Sequence, residues 1–396
     1  MKFNYNHTKY TCYLAYITSA LVNNFAPLLF VTFQKTFSLT IEQIGMLVSA
    51  NFITQMIVDF LGANFADKIG YRKTIITANL LAITGFCMMA FLPGFMANKL
   101  LALLVSTVVY GVGSGLIEVM ISPMVEALPL DAKSSAMSML HSFYCWGSVI
   151  VIALSSLFFA VFGTENWRIL TVLWTLVPLA TTVMFCFVPI ISLSEDGESD
   201  GTGKLFSSSL FWLFMVLMTC SGAAELAVAQ WASMFAESGL GVSKTVGDLL
   251  GPCMFAVLMG VARVLYAVFH DKWRLRYFIA FCSVGCIGSY LLTALSPNPI
   301  ISLVGCALCG FFVAIVWPGT LSLAAKYTGF KGTTMFGILA LGGDVGCTLG
   351  PAVVAAGSSL NILSSPIRTG ILCAIVFPVL MLFVITMINR KISKKV

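Results

Sequence analysis

Twelve apolar runs constrain what this chain can fold into more than any other feature. A helix needs about 20 consecutive apolar residues to cross the hydrocarbon core of a bilayer. The runs are centred near residues 21, 54, 84, 112, 147, 179, 221, 257, 284, 311, 344 and 377. Because a backbone in lipid has to satisfy its own hydrogen bonds, the pattern predicts an all-α integral membrane protein with twelve transmembrane helices.

The composition excludes a water-soluble enzyme. Hydrophobic residues make up 59% of the 396 residues and charged residues 10%, against about 45–50% and about 25% in soluble domains. The net charge of +6 comes without a basic cluster interleaved with aromatic residues, so we expect the lipid bilayer and no nucleic acid as a partner. No nucleophile–base pair or metal-ligand set is visible, so no catalytic residue, metal or cofactor is predicted.

A short non-periodic segment divides the chain. Residues 191–207, ISLSEDGESDGTGKLFS, are acidic and rich in Gly and Ser, which is typical of a flexible linker. It separates six runs in residues 1–190 from six runs in residues 208–396. We therefore expect an N-terminal six-helix bundle, a cytoplasmic linker and a C-terminal six-helix bundle.

The two halves also resemble each other in charge pattern. Asp59 lies eight residues before Asp67, and Arg263 lies eight residues before Asp271. Each pair runs from inside an apolar segment into the loop that follows it. This weak repeat predicts two pseudo-symmetric bundles.

The distribution of Lys and Arg predicts the orientation. Most of the 22 Lys and Arg residues fall in segments that are cytoplasmic when both termini are cytoplasmic, as the positive-inside rule requires. The short termini favour a bacterial inner membrane. A monomer suffices for such an architecture.

The loop after the second run carries the most specific motif. Residues 62–73, GANFADKIGYRK, resemble the loop signature of the major facilitator superfamily. The resemblance implies two six-helix bundles around a central cavity that opens to alternate sides. It also implies a cytoplasmic gate, for which the candidates are Gly62, Asp67, Lys68, Gly70, Arg72 and Lys73. A generic positive-inside loop would explain the basic residues but not Asp67.

Four shorter segments narrow the resemblance to the fucose permease group of sugar:proton symporters. They are FQKTFSLT at 33–40, LIEVMISP at 116–123, MLHSFYCWG at 139–147 and WPGTLSL at 317–323. The paired Asn23-Asn24 in the first run is also similar to that group. The implied activity is proton-coupled uptake of a sugar.

The chain departs from the group's pattern at three positions. The carboxylate expected in the first run falls on Pro27, and the Asn residues of runs four and five are replaced by Ser122 and His141. Glu118 therefore remains as the matched carboxylate. Its distance from Asp131 in the intervening loop places it at a depth similar to that of His141.

Charges inside the membrane are costly and indicate function or pairing. We expect Glu118 to carry the coupling proton, with His141 sharing that proton or donating to a substrate hydroxyl. Alternatively, both side chains hold helices four and five together. Asp344, after Gly342-Gly343, is a further proton-coupling candidate, or it pairs with a donor on helix two or eight.

Glu225 and Gln230 lie in the seventh run with Trp231 beside them. Because five positions separate the two polar residues, they point to different faces of a regular helix. A local break at Ser221-Gly222 would turn both inward, where they would suit a sugar, with Glu225 as another coupling candidate. The alternative is a polar clamp between helices.

The remaining candidates are assigned from their place in the apolar runs. Asp59 and Arg263 are interpreted as gate or packing charges rather than substrate contacts. The expected substrate-binding wall comprises Asn23, Asn24, His141, Tyr144, Gln230, Trp231 and Trp317.

Together these features predict a secondary active transporter and not an enzyme. We expect proton-coupled symport of a small polar solute, a carbohydrate above all, by alternating access. The alternatives are Na⁺ coupling, export of a drug-like or lipid-like amphiphile, and a receptor that binds without transporting.

Overall fold

The computed structural model describes most of the chain. The backbone is described for residues 3–129, 133–191, 206–269, 274–328, 333–360 and 362–393. The side chains at 62–69, 126, 133–138, 141, 267–269, 333, 334 and 336 are outside the description. The predictions at Gly62, Asp67, Lys68 and His141 therefore lie outside the described side chains. Residues 192–205 of the predicted linker also lie outside the described residues.

The described residues form helices and no strands, and twelve of these helices are long and apolar enough to cross a membrane. The prediction of twelve spans is confirmed. The chain divides into two compact units, Met1–Glu195 and Asp196–Val396. Each unit contains six of the spans.

The first unit contains the spans that we call α1 to α6. Their helical segments are α1 (Tyr5–Phe25, Ala26–Leu29 and Phe30–Phe37), α2 (Ile41–Ile69), α3 (Tyr71–Phe95), α4 (Lys99–Ala127), α5 (Lys133–Phe162) and α6 (Trp167–Trp174 and Leu176–Phe187).

The second unit contains α7 to α12. Their segments are α7 (Ser209–Ala229, Ala232–Met234 and Phe235–Gly239), α8 (Lys244–Asp248, Leu249–Cys253 and Met254–Phe269), α9 (Leu275–Leu295), α10 (Pro299–Val313 and Val316–Tyr327), α11 (Thr333–Gly357) and α12 (Pro366–Cys373 and Val376–Ser393).

The same helix pairs pack together in both units. In the first unit α1 contacts α5 and α6, α3 contacts α4 and α6, and α2 contacts α4. In the second unit α7 contacts α11 and α12, α9 contacts α10 and α12, and α8 contacts α10. Adding six to each label of the first unit gives the second, so the two bundles share one topology, as the internal repeat predicts.

Polar side chains cap the helix ends, where backbone groups have no partner within the helix. The side-chain oxygens of Asn98 and Ser208 accept from the backbone N–H groups of Leu101 and Phe211, at the starts of α4 and α7. Cations bind the carbonyls at the other ends: Lys99 Nζ donates to Pro93 O at 2.8 Å at the end of α3. Positive charge at a helix C-terminus also complements the helix dipole.

Several spans are interrupted, and α7 is interrupted at a place that the sequence did not predict. A break at Ser221-Gly222 would have turned Glu225 and Gln230 to one side, but Ser209–Ala229 is one continuous α-helix that includes both residues. The regular helix is interrupted at Gln230 and Trp231 instead. Gly222 serves helix packing.

Glycine lets α7 and α11 approach closely. A Cβ added at Gly222 would overlap the carbonyl oxygen of Gly343, and one added at Gly346 would overlap that of Thr219. Small residues are the usual means by which membrane helices pack this tightly. The helices α7 and α11 are therefore closely packed in the second unit.

Candidate functional site

Asn23 is the centre of a buried hydrogen-bond network in the first unit. Its Oδ1 atom accepts from Asn51 Nδ2 at 2.9 Å and from Gln55 Nε2 at 2.8 Å, both on α2. Its Nδ2 atom donates to the hydroxyl of Tyr144 on α5 at 3.2 Å. Asn23, Asn51 and Gln55 are no more than 6% exposed. Three helices thus meet at one amide, and we call these four residues the Asn23 cluster.

The neighbouring Asn24 extends this network along α1 and α5. Asn24 Nδ2 donates to Ser148 Oγ at 3.0 Å, and Ser148 Oγ donates in turn to the carbonyl of Tyr144 at 3.0 Å. Asn24 Nδ2 also contacts the carbonyl of Ala20 at 2.8 Å. The paired Asn residues, both predicted to bind substrate, are therefore held by the same face of α5.

Two carboxylates lie close to this network. The Tyr16 hydroxyl on α1 interacts electrostatically with Glu118 on α4 and with Asp59 on α2. The same hydroxyl lies 3.5 Å from Ser122 Oγ, and the Tyr16 ring contacts the Tyr144 ring edge to face, with 6.3 Å between centroids. Glu118 and Asp59 are both half-buried. The first unit therefore brings together an amide network and two acidic groups.

One buried oxygen atom of the Asn23 cluster can accept a further hydrogen bond. Asn51 Oδ1 is buried and accepts no hydrogen bond from the described residues. A buried amide oxygen without a donor costs about 1–3 kcal/mol. Such an atom can accept a hydrogen bond from a hydroxyl or a bound water.

In the second unit, Glu225 on α7 interacts electrostatically with Arg263 on α8. Arg263 Nε also donates to the carbonyl of Ala314 at 3.3 Å. Ala314 lies between the two helical segments of α10, where the regular hydrogen-bond pattern is interrupted. Arg263 therefore interacts with α7 and α10 from its place on α8, and its assignment as a gate or packing charge stays a prediction.

Trp231 is fully buried inside the second unit. The side chain is 0% exposed, and its Nε1 donates to the carbonyl of Pro351 on α11 at 3.1 Å. Its burial and this bond are what a clamp between helices requires, and its assignment to the substrate-binding wall stays a prediction. The adjacent Gln230 is also buried, at 5% exposure.

Trp317 and Asp344 lie close together in the second unit. The Trp317 ring on α10 packs against Gly343, and a Cβ at that glycine would overlap the ring. Asp344 follows Gly343 directly on α11, and both Trp317 and Asp344 are half-buried. An indole offers an apolar face and a carboxylate offers acceptors beside it, and the assignment of both residues stays a prediction.

The described part of the predicted gate has a structural role. Arg72 donates to the carbonyls of Phe185, Cys186 and Val188, at distances from 2.6 to 2.8 Å, and thus caps the end of α6. Gly70 has φ +92°, a conformation that favours glycine, and directly precedes α3. Lys73 is exposed. The gating assignment of these residues remains a prediction.

Two partners of Asn23 on α2 were not predicted from the sequence. Asn51, Gln55 and Asp59 are spaced four residues apart along α2, which places them on one face of that helix. This polar stripe within an apolar run was a visible signal. It would have shown that α2 contributes more than a gate charge.

A buried ion pair in the second unit was also missed. Lys244 Nζ lies 2.8 Å from Asp248 Oδ2, with the two side chains 11% and 1% exposed. Ser233 Oγ donates to Asp248 Oδ1 at 2.5 Å and accepts from Lys244 Nζ at 3.2 Å. These three residues, the Lys244 cluster, fix the end of α7 to the start of α8.

The fold consists of twelve apolar helices in two bundles of one topology, with polar networks inside each bundle. This is the architecture of secondary transporters that are built from two structural repeats. A model of the family described as "Major Facilitator Superfamily" matches residues 12–351. The chain belongs to this superfamily and is not an enzyme. Among the described residues, no group of three or more His, Cys, Asp or Glu is placed to hold a metal ion.

Individual proteins give a finer comparison. The chain is 25% identical over 364 residues to the "Probable sulfoacetate transporter SauU" of Cupriavidus necator, covering 82% of this chain and 80% of that protein. A crystal structure of a D-xylose–proton symporter superimposes with a TM-score of 0.80 at 14% identity, covering 96% of each chain. The E. coli fucose:proton symporter gives a TM-score of 0.65 at 16% identity, covering 96% of this chain and 98% of that one. These structures share the fold.

Proposed function

We propose that this protein is a secondary active transporter that takes up a small polar solute, a sugar, together with a proton. The observation that carries the proposal is the Asn23 cluster beside Glu118 and Asp59. Neutral amides and hydroxyls donate to and accept from sugar hydroxyls without a charge to neutralise. The symport of D-xylose and fucose by proteins of this fold supports the choice of solute.

Glu118 is the proposed proton carrier. An ionised carboxylate inside a membrane is unfavourable unless it is paired or solvated. Protonation removes that penalty, so the protonated form favours a state closed to water, and the ionised form favours a state open to it. The Tyr16 hydroxyl is near enough to Glu118 for the two groups to interact electrostatically, so it belongs to the surroundings that respond to the charge of Glu118. Glu225 and Asp344 are the next candidates for this role.

A second candidate solute is a small organic anion. Arg263 supplies a guanidinium inside the second unit, next to Glu225, and such a group binds carboxylates and sulfonates by charge-assisted hydrogen bonds. When Glu225 is protonated, Arg263 becomes available to an anion. The sulfoacetate transporter of Cupriavidus necator supports this candidate, because it matches most of this chain.

Flux in proteoliposomes tests both candidates. Purified protein is reconstituted with a pH dye inside, and neutral sugars or small sulfonates and carboxylates are added outside. We expect sugar-dependent acidification that is lost in Glu118→Gln. Glu42→Gln is the matched control, since Glu42 is exposed in the first turn of α2, and it should acidify normally.

The other outcomes separate the alternatives. Acidification by sulfonates or carboxylates only, with loss in Arg263→Gln, would favour the organic anion. Solute entry that follows a Na⁺ gradient without acidification would show that the coupling ion is Na⁺ and not H⁺. If neither group of solutes enters, uptake of polar solutes is contradicted, and efflux of amphiphiles becomes the next measurement.

A further inference from the structure

A cavity opens at one end of the second unit, away from the residues considered above. Its volume is about 650 Å³, and it lies among the end of α8, the start of α9, and the ends of α10 and α12. This volume is within the range of about 300–1,000 Å³ typical of small-molecule sites. The four helix ends lie on the face that the charge distribution predicts to be cytoplasmic.

The lining of this cavity is basic. Arg274, Arg276 and Lys326 contribute to it, together with Tyr266, Tyr327 and Ser322, whereas no carboxylate is among the described residues that line it. Arg274 and Lys326 are exposed. Three cations around one concave space repel each other unless an anion joins them.

Aromatic rings hold two of these cations in place. The Arg276 guanidinium lies 4.7 Å from the centroid of the Tyr277 ring, and Lys326 Nζ lies 5.5 Å from that of the Tyr327 ring. Cation–π contacts restrict the side chains without forming an ion pair. Arg276 Nη2 also donates to the Tyr277 hydroxyl at 3.1 Å, so the other N–H groups of Arg276 and those of Lys326 are available to an acceptor.

The backbone contributes further donors to the same place. Arg274 is the N-cap residue of α9, and its side chain does not cap the helix. The first N–H groups of a helix carry a partial positive charge and bind anions when no side chain satisfies them. The start of this 21-residue helix thus adds to the field of the three side chains.

We propose that this cavity binds a phosphate-bearing anion, and we call it the basic cavity. Phosphate oxygens accept hydrogen bonds from guanidinium, ammonium, tyrosine hydroxyl and backbone N–H groups, and this cavity offers all four kinds of donor. The volume corresponds to that of about twenty water molecules in the liquid, more than one inorganic phosphate requires. A basic pocket at a cytoplasmic membrane surface is suited to the headgroup of an anionic lipid, and a soluble phosphate compound would use the same donors.

Native mass spectrometry of the full chain in detergent provides the test. Cardiolipin, phosphatidylglycerol, phosphatidylcholine and inorganic pyrophosphate are titrated separately. We expect retained cardiolipin or phosphatidylglycerol, with weaker retention of phosphatidylcholine. In Arg274→Gln/Lys326→Gln the affinity should fall on the order of fivefold for each cation removed.

Arg390→Gln is the matched control. Arg390 is an exposed cation near the end of α12 that does not line the basic cavity, so its replacement should leave lipid retention nearly unchanged. Equal losses in the double variant and in Arg390→Gln would overturn the proposal, because they would show binding to general surface charge. Absence of anion binding to the unmodified protein would overturn it as well.

Pyrophosphate distinguishes the source of the ligand. If pyrophosphate at millimolar concentration displaces cardiolipin from the unmodified protein but does not bind the double variant, the cavity recognises the phosphate group itself. If only lipids bind, the acyl chains contribute, and the ligand is a membrane lipid. Both results support a phosphate site, and the thermal unfolding midpoint of each variant confirms that it is folded.

Discussion

Asn51 and Gln55, one helical turn apart on α2, donate to the same atom, Asn23 Oδ1, at 2.9 and 2.8 Å. A carbonyl oxygen has two lone pairs, and this one uses both. The arrangement fixes α1 against α2 and orients the Asn23 amide nitrogen towards Tyr144. It joins the sequence pair Asn23-Asn24 to a stripe of polar residues on another helix.

Replacing Asn23 by Leu removes the shared acceptor and leaves two buried amide groups without it. At about 1–3 kcal/mol for each unsatisfied group, we expect a loss of about 2–6 kcal/mol in the free energy of unfolding. The thermal unfolding midpoint in detergent, calibrated by denaturant, measures the loss. In the Asn23→Leu background, Asn51→Leu and Gln55→Leu should each cost less than in the unmodified protein, with a coupling of about 0.5–3 kcal/mol. Strictly additive losses would contradict the network.

Replacing Trp231 by Phe tests whether that residue packs or binds. The indole donates to Pro351 O and is fully buried, so we expect a loss of about 1–3 kcal/mol in stability. The KM for whichever solute the flux measurements identify should change less than twofold. Trp317→Phe is the matched comparison, because Trp317 is half-buried and is a candidate for the binding wall. A large rise in KM for Trp231→Phe alone would return Trp231 to the binding wall.

The apolar runs were sufficient to predict the twelve helices, because lipid imposes a helix length and leaves few other structures. The partners of polar residues inside the helices were not predictable in the same way. A buried Asn can bond within its own helix, as Asn79 does with the carbonyl of Ile75, or across helices, as Asn23 does. Only the packing of the helices decides between the two.

The same limit explains the position of the break in α7. The Ser221-Gly222 pair is compatible with a local break, but Gly222 is used for the close approach of α11, and the helix continues. Arg72 could likewise be interpreted from the sequence as a gate residue or as part of a generic positive-inside loop. Its three carbonyl partners belong to the end of α6, far along the chain, so sequence spacing could not connect them.

Replacing Arg72 by Gln tests its role as a cap. Three carbonyls at the end of α6 lose a charged donor, so we expect a loss of about 1–3 kcal/mol in stability. Hydrogen exchange of the backbone amides in the last turn of α6 should also become faster, because the end of the helix frays. Lys73→Gln removes the same charge from an exposed neighbour and should change neither measurement. Equal effects of the two substitutions would indicate a general charge effect and exclude the cap.

The Lys244 cluster gives a final test of the second unit. Asp248→Asn leaves the Lys244 ammonium largely buried without a counter-charge, and breaking a buried pair in this way costs about 3–5 kcal/mol. Replacing both residues, as Lys244→Met/Asp248→Asn, removes the unpaired charge as well as the pair. We therefore expect the double variant to regain at least half of the stability lost in Asp248→Asn, as measured by the thermal unfolding midpoint. Glu165→Gln, at an exposed carboxylate, is the control and should shift the midpoint little. If the double variant is less stable than Asp248→Asn, then Lys244 stabilises the fold through contacts other than this ion pair.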